Sequence, residues 1–384
     1  MGKKRIGILT GGGDVPGLNS VIRNVTVRSD YEGYEVIGIK RGWGGLIYMD
    51  PTGKSDDSEH LVKLDREFVR KIDRTGGTVL RTSRTNPSKA SPHPDLEEYR
   101  GLKLTGKTDL TQDAVKNIER LGIDVLIAIG GDDTLSFAVK LDQLGINVIG
   151  VPKTMDNDVN GTEYCIGFSS CISKSMIMIN DLRTPMGSHE RFGVIELFGR
   201  NAGFTSLYSG YVSGANRVLI PEWDFDPDRL IELLLDDRKK NPSNYAIVLV
   251  SEGAKPAGGK ILESGKEDAY GHKKLGGIGY QVSEYIKEKT HYNTIVQQLG
   301  YFMRSGPPDA IDQLVAGLWA NIAVDCIRDN KFGVMMAIVD GKYDCVPIKM
   351  VTEKKRIVDI QKYYNTERYR PIYTNMKGSP LFLN

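Results

Sequence analysis

The chain has 384 residues, enough for two domains or one large α/β unit, and its 40% hydrophobic and 26% charged residues exclude a fibre or a disordered polymer. A net charge of +2 gives no reason to invoke nucleic acid or a membrane, and no apolar run nears the ~20 residues of a bilayer span. The four cysteines, Cys165, Cys171, Cys326 and Cys345, lack CxxC spacing and histidine neighbours of the metal-site type, which predicts no zinc and a reduced, cytoplasmic protein.

The opening MGKKRIGILT has no signal-peptide core and runs straight into a strand over 5–10. GGGDVPGLN follows, then a helix SVIRNVTVR, so Gly11, Gly12 and Gly13 are placed to offer N–H groups to a phosphate near a positive helix end. A dinucleotide fingerprint fits poorly: Pro16 stands where the third glycine belongs, and no acidic residue closes the second strand. That second strand covers 34–40, RGWGGLIY reads as a glycine-rich loop carrying Trp43, and 50–75 read as polar and irregular. In GGTVLRTSRTNP, Arg81 and Arg84 flank a candidate strand end, with a surface ion pair as the plain alternative for each.

Residues 101–108 match GxxxxGK[ST], the pattern of a phosphate-binding P-loop. The upstream SPHPDLEEYR, with two prolines and four charges, cannot be the central strand such a loop requires. Thr108 or Asp109 is instead expected to cap the helix TDLTQDAVKNIERLG.

Residues 124–158 carry the strongest signal. Two buried-strand patterns, a short helix apart, each run into a polar turn: Gly130-Gly131-Asp132-Asp133-Thr134 and Pro152-Lys153-Thr154-Met155-Asp156-Asn157-Asp158. Neighbouring parallel strands would bring both turns to one crevice. Four aspartates crowded together raise one another's pKa and cost free energy unless a cation shares the site. Carboxylates for Mg²⁺, a lysine and glycine amides make a polyphosphate the simplest ligand, with two solvated strand-to-helix turns as the alternative.

Beyond it, SSCISKSMIMINDL predicts a helix with Met176 and Met178 as core filler, and 192–198 predict a strand bracketed by Arg191 and Arg200. His189 reads as a surface residue. Strands are expected at 217–221 and 245–250, the second ending at Glu252, with an amphipathic helix over 226–240 between them. The basic runs 238–240 and 354–356 read as solvated helix faces, and 255–275 as a mobile loop, lid or boundary. A helix IGYQVSEYIKEKT, a strand TIVQQLGYF, a turn with Arg304, a long helix, a hairpin over 333–346 and a short helical tail complete the chain.

Taken together, TGGGDVPGLN, GGTVLRTSR, GGDDT, PKTMDND, SHERFGVIELFGR, IPE, VSEG and LGYFMRSG resemble, in order and approximate spacing, the phosphofructokinase family from Ile6 to roughly Gly341. The resemblance implies an α/β fold of two Rossmann-like lobes, with mainly parallel sheets and the active site in the cleft between them. Residues 1–150 would form the donor-binding lobe, with later segments crossing back, 151–345 the sugar-phosphate lobe, and 346–384 a C-terminal helix and tail. The implied activity is Mg²⁺-dependent phosphoryl transfer to the 1-hydroxyl of fructose 6-phosphate, giving fructose 1,6-bisphosphate in glycolysis.

The resemblance makes Asp156 the general base, sets Thr154 beside the acceptor sugar, and assigns Asp132 and Asp158 to Mg²⁺. Gly13, Arg84, Asp133 and Thr134 fall at donor positions, and Arg200 faces the transferring group. Phe198 and Gly199 stand in the family's MGR turn, phenylalanine replacing methionine. Glu252, Tyr301 and Arg304 fall at sugar-phosphate positions, Tyr301 replacing a common histidine, and Arg191 is similar to an arginine that reaches a neighbouring subunit. A homodimer or homotetramer is implied. With an ordinary pKa near ~4, Asp156 would be a weak base that receives the proton late.

Asp133 and Lys153 resemble the family's pyrophosphate-dependent members, where ATP users commonly have glycine at both positions. A carboxylate at 133 would occupy the space of a nucleotide's α-phosphate, and like charges ~4 Å apart repel by ~1 to 4 kcal/mol. Ile295 stands where the family usually supplies an arginine to the sugar phosphate, a loss of ~1.5 to 3 kcal/mol. Fructose 6-phosphate is therefore expected to bind weakly, or a sugar such as sedoheptulose 7-phosphate to be preferred. The alternatives are an ATP-dependent 6-phosphofructokinase and a sugar-phosphate-binding regulatory subunit without turnover.

Overall fold

Two mainly parallel sheets set the cleft between them. A computed structural model describes residues 3–54, 56–261, 263–264 and 274–382. In the first 152 residues, strands β1 (Arg5–Thr10), β2 (Glu35–Ile39), β3 (Leu61–Leu64), β4 (Val125–Gly130) and β5 (Val148–Pro152) alternate with helices α1 (Leu18–Tyr31), α2 (Trp43–Tyr48), α3 (Pro94–Arg100), α4 (Thr111–Arg120) and α5 (Asp132–Gln143). There follow α6 (Phe168–His189), β6 (Phe192–Leu197), α7 (Phe204–Ser213), β7 (Arg217–Leu219), α8 (Pro227–Lys240), β8 (Ile247–Ser251), the two-residue pair β9 (Glu263–Ser264) and β10 (Lys274–Leu275), α9 (Ile278–Thr290) and β11 (Thr294–Gln298). The chain closes with α10 (Ala310–Arg328), β12 (Val334–Val339), β13 (Lys342–Pro347), α11 (Ile360–Tyr363), β14 (Tyr364–Asn365) and β15 (Arg370–Pro371).

The larger sheet has the order β13-β12-β5-β4-β1-β2-β3, and the second β11-β6-β8-β7. Strands β4, β5, β6 and β8 are buried along their whole length, as largely apolar runs require when helices cover both faces, with Glu196 the buried exception in β6. All pairings in the second sheet are parallel, so the turns after β6, β8 and β11 leave one edge together. In the first sheet β4 and β5 run parallel with Gly130 opposite Pro152, and β4 also pairs with β1. Strand order therefore reverses direction between β1 and β4, which opens a crevice at their carboxyl ends. The hairpin β12–β13 returns to the first sheet, β12 pairing parallel with β5 through Val334 and Ile149.

Several local expectations are corrected. RGWGGLIY folds as helix α2, not a loop, because Trp43 and its neighbours bury against α4 and α5; the Trp43 indole donates to the Thr134 carbonyl at 3.2 Å. The polar region 50–75 contains strand β3, antiparallel to β2. No strand forms around Arg81 and Arg84: the segment is irregular, Arg81 has φ 57°, and its backbone laces onto the first glycine turn. Upstream of the P-loop-like stretch lies helix α3; helix α4 is capped by Leu110 without a side-chain bond, so neither Thr108 nor Asp109 is its N-cap, and Asp109 Oδ1 instead accepts the Thr111 N–H at 2.8 Å from one residue further out. Helix α6 runs on through Pro185 to His189, which is exposed.

The 354–356 run is not helical, and Arg356 is buried with its guanidinium 4.3 Å over the Phe204 ring. In the 238–240 run Arg238 packs 4.0 Å over Tyr292 while the two lysines stay exposed. Of the 255–275 stretch expected to form a mobile loop, residues 262 and 265–273 lie outside the described residues.

Candidate active site

The cleft is built from the turns that follow the strands. Gly12, Gly13, Arg84, Gly131, Asp132, Asp133, Thr134, Lys153, Thr154, Asp156, Asp158, Arg200 and Asn201 line one cavity. Eleven of these side chains and amides come from the turns singled out by sequence; Asn201, in the same turn as Arg200, was given no role there, and Arg84 reaches the cavity from an irregular loop.

The first glycine turn presents less backbone than expected. The Gly11 N–H donates to the Ile129 carbonyl at 2.9 Å and the Gly12 N–H to the Ser83 carbonyl at 3.0 Å, so of the three only Gly13 makes no such bond to a described residue. Thr82 Oγ1 donates to the Gly12 carbonyl at 2.6 Å, which ties the loop bearing Arg84 to this turn. Gly12 needs its positive φ of 77°, and a Cβ at Gly13 would run into the Arg304 guanidinium.

Asp132 and Asp133 open helix α5, where the helix dipole favours carboxylates independently of any ligand. Asp132 Oδ1 accepts the Asp133 N–H at 3.0 Å. Asp133 lines the main cavity and also a second hollow bounded by Asn86, Ser88, Ser136, Phe137 and Lys140, so the residue borders both. The side of Thr134 packs against Gly11 and Gly130, leaving no room for a Cβ at either.

The turn 152–158 is held rigidly. Lys153 N–H donates to the Gly130 carbonyl at 2.9 Å, Thr154 Oγ1 accepts the Asp156 N–H at 3.2 Å, and Thr205 Oγ1 donates to the Met155 carbonyl at 3.1 Å. Asn157 sits in the left-handed region at φ 55°, fully buried, its amide donating to the Glu163 carbonyl at 3.1 Å. The Arg356 guanidinium donates to the Asn157 carbonyl, and the Arg356 N–H to the Asp158 carbonyl at 3.3 Å. Sequence reasoning missed this arginine because its contact spans almost 200 residues; the sequence signal, a cation in a polar tail, is the same as for a solvated one. Arg356→Ala is expected to strand the Asn157 carbonyl and lower stability by about 1–3 kcal/mol, measured by denaturant unfolding.

Burial sets the electrostatics. Asp156 is held well above the ordinary carboxylate range by burial and then by the Glu252 charge, and its Oδ1 has no hydrogen-bond partner among the described residues. The expectation of an ordinary pKa for this base is thereby corrected: lost hydration outweighs Arg200 and Lys153. Asp158 is raised by burial, Asp156 and Asp132 in turn. Glu252, after β8, is pushed up to about 7 by burial, with Arg200 opposing. Lys153 is pushed down to about 8 by burial, then by Arg304 and Arg84. Burial disfavours the charged forms of Asp156, Asp158 and Lys153 alike, and a polyanion with a divalent cation would supply the opposite charge to each.

Among the described residues no group of three or more His, Cys, Asp or Glu side chains is gathered to hold a metal unaided. The donor set still fits Mg²⁺, which typically takes one or two carboxylates and completes its shell with water and phosphate oxygens. The unpartnered Asp156 Oδ1 and the mutual repulsion of Asp132, Asp156 and Asp158 point to the same missing positive charge.

From the second lobe, Gly199 (φ 137°) and Arg200 follow β6, Glu252 follows β8, and Tyr301 and Arg304 follow β11. The Arg304 guanidinium lies 4.4 Å over the Tyr301 ring and 5.9 Å over Phe198, and reaches Asp14 at 3.7 Å, so it bridges to the first lobe. Tyr301 is 70% exposed at the cleft margin. Arg191 is not brought to this cavity: it precedes β6 at the opposite end from Arg200, about 20 Å away by strand length. Ile295 is half-buried in mid-strand, packed on the core.

Two parallel α/β lobes facing each other across turns rich in aspartate, arginine and glycine define a protein built to hold a polyanion between domains. The chain belongs to the phosphofructokinase family, whose pattern, described as Phosphofructokinase, matches residues 5–327. Pyrophosphate--fructose 6-phosphate 1-phosphotransferase from Amycolatopsis mediterranei (strain S699) is 36% identical over 367 residues, covering 94% of this chain and 98% of its own. ATP-dependent 6-phosphofructokinase 3 from Streptomyces coelicolor (strain ATCC BAA-471 / A3(2) / M145) is 34% identical over 365 residues, covering 94% and 99%. The crystal structure of a pyrophosphate-dependent phosphofructokinase from Nitrosospira multiformis superposes with a TM-score of 0.76 at 19% identity, over 96% of this chain and 89% of that one, a likeness of fold alone.

Proposed function

We propose that this chain transfers a phosphoryl group from inorganic pyrophosphate to the 1-hydroxyl of fructose 6-phosphate, giving fructose 1,6-bisphosphate, with Mg²⁺. Relatives named for pyrophosphate stand at 36–39% identity and relatives named for ATP at 34–36%, so similarity favours pyrophosphate by a narrow margin. The observation that carries the choice is Asp133, a residue that borders both the main cavity and the hollow next to it. A nucleotide's chain of phosphates and sugar would have to pass that charge, whereas pyrophosphate ends before it.

In this reading Asp156 takes the proton of the attacking hydroxyl, and its raised pKa makes it a stronger base than an ordinary aspartate while still ionised enough near neutral pH. Arg200 and Arg84 offset charge on the transferring group, and Lys153 holds its proton more firmly beside the incoming anion. Asp132 and Asp158 would hold Mg²⁺, which supplies charge neutralisation on the phosphates. Gly13 and Thr134 border the donor; Thr154, Phe198, Gly199, Glu252, Tyr301 and Arg304 border the acceptor. Arg191 would act on a second subunit of a homodimer or homotetramer. Such chemistry suits the cytoplasm.

The test is a matrix of pyrophosphate and ATP against fructose 6-phosphate and sedoheptulose 7-phosphate with purified protein. Turnover with ATP and none with pyrophosphate overturns the donor assignment. Ile295 favours a second acceptor reading, and a higher kcat/KM with fructose 6-phosphate than with sedoheptulose 7-phosphate removes it.

The pH dependence follows from Glu252. The base form of Asp156 is the deprotonated one, so activity falls as pH drops through its raised pKa. Glu252→Gln removes a like charge and lowers that pKa, so the acid limb of kcat should move to lower pH by roughly half to one unit. An unmoved limb argues against the coupling.

A further inference from the structure

Two cysteines that the proposed reaction does not use face each other at the far edge of the first sheet. Cys326 lies in the last turn of α10 and is buried; Cys345 lies on the edge strand β13 and is half-buried; their sulfurs are 3.9 Å apart. After α10 the chain turns back through Asn330 at φ 53°, and the Lys331 N–H donates to the Cys326 carbonyl at 2.8 Å. That turn carries Lys331 Nζ to 3.0 Å from Cys345 Sγ. The other two cysteines, Cys165 and Cys171, are fully buried.

We propose that Cys326 and Cys345 are a thiol–disulfide site, in which Cys345 attacks a small-molecule disulfide and Cys326 resolves the product into an internal bond. The division of roles follows from placement. Cys345 can be reached from solvent, and an anionic sulfur there has the Lys331 ammonium against it; burial holds the Cys326 thiol protonated and out of reach of an outside reagent. In the first step the Cys345 thiolate forms a bond to one sulfur of the reagent and expels the other as thiolate. In the second, Cys326 loses its proton, bonds to Cys345 Sγ and expels the remaining reagent thiolate. Two protein thiols are oxidised, one reagent disulfide is reduced to two thiols, and no other oxidant is needed.

A shift of under ~2 Å brings sulfurs in contact to bonding distance, so side-chain rotation on two packed elements suffices. The bond would close a separation of 19 residues and pin β13 to α10, restraining the hairpin whose inner strand β12 pairs with β5.

The experiment incubates the reduced full-length protein with excess oxidised glutathione, alkylates remaining thiols and maps the peptides by mass. Wild type should yield a linked peptide pair containing Cys326 and Cys345 that dithiothreitol reverses, with Cys165 and Cys171 alkylated only after unfolding. Cys326→Ser should keep glutathione on Cys345, Cys345→Ser should form neither product, and Lys331→Gln should slow the first step at least about threefold. The proposal is overturned if wild type retains glutathione on Cys345 without linking, or if neither cysteine reacts while the protein is folded. Linkage through Cys165 or Cys171 overturns it equally. Should a serine variant fail to fold, the wild-type peptide map decides by itself.

Discussion

Asp156→Asn is expected to lower kcat by about 10²–10⁴ while the fold stays intact, because the substitution keeps the shape of the side chain and removes its ability to take a proton. The structure makes the second half of this expectation definite. Asp156 is buried, its Oδ1 has no partner among the described residues, and its charge is opposed by Glu252 and Asp132. A carboxyl whose folded-state pKa is raised favours folding below its unfolded value near ~4, and that advantage disappears as pH rises through the folded value. At neutral pH the native aspartate therefore strains the apo protein, and the asparagine variant should melt at or above the wild-type midpoint. Steady-state kinetics and calorimetry on one preparation check both halves. Wild-type turnover in the variant would remove Asp156 from the reaction.

The second large effect is expected at Asp133. Asp133→Gly should raise kcat/KM with ATP relative to pyrophosphate by about tenfold or more, since relief of ~1 to 4 kcal/mol of repulsion corresponds to several-fold up to several hundred-fold. The gain is limited by the hollow beyond. Lys140 there donates to Ser88 Oγ at 2.9 Å and Thr111 Oγ1 at 3.0 Å, and Phe137 packs edge-on against Trp43 with ring centres 4.8 Å apart, so the space is already organised around this chain's own side chains. The measurement is the ratio of the two donors' kcat/KM in the variant and the wild type. An unchanged ratio means the Asp133 carboxylate does not decide the donor, whatever its position.

Most of the cleft was legible in the sequence because the residues that line it sit on the turns immediately after apolar strands, and a parallel sheet sends every such turn to the same edge. GGDDT and PKTMDND needed no long-range information: strand β4 ends at Gly130, strand β5 at Pro152, and the two are register partners. The same logic located Arg200 after β6 and Glu252 after β8. It failed where a residue's environment is set by distant chain. The amides of Gly11 and Gly12 looked available until Ile129 and Ser83 took them, and RGWGGLIY looked like a loop because glycine signals no helix until burial against α4 and α5 outweighs propensity.

What the sequence determined by itself is the strand-to-turn order of the chemistry, a property of neighbours along the chain. The tertiary structure alone decided the ionisation of Asp156, the burial of Arg356 beneath the turn that carries it, and the meeting of Cys326 with Cys345. Each of these depends on which atoms exclude water from a site, and that is a property of residues brought together from far apart.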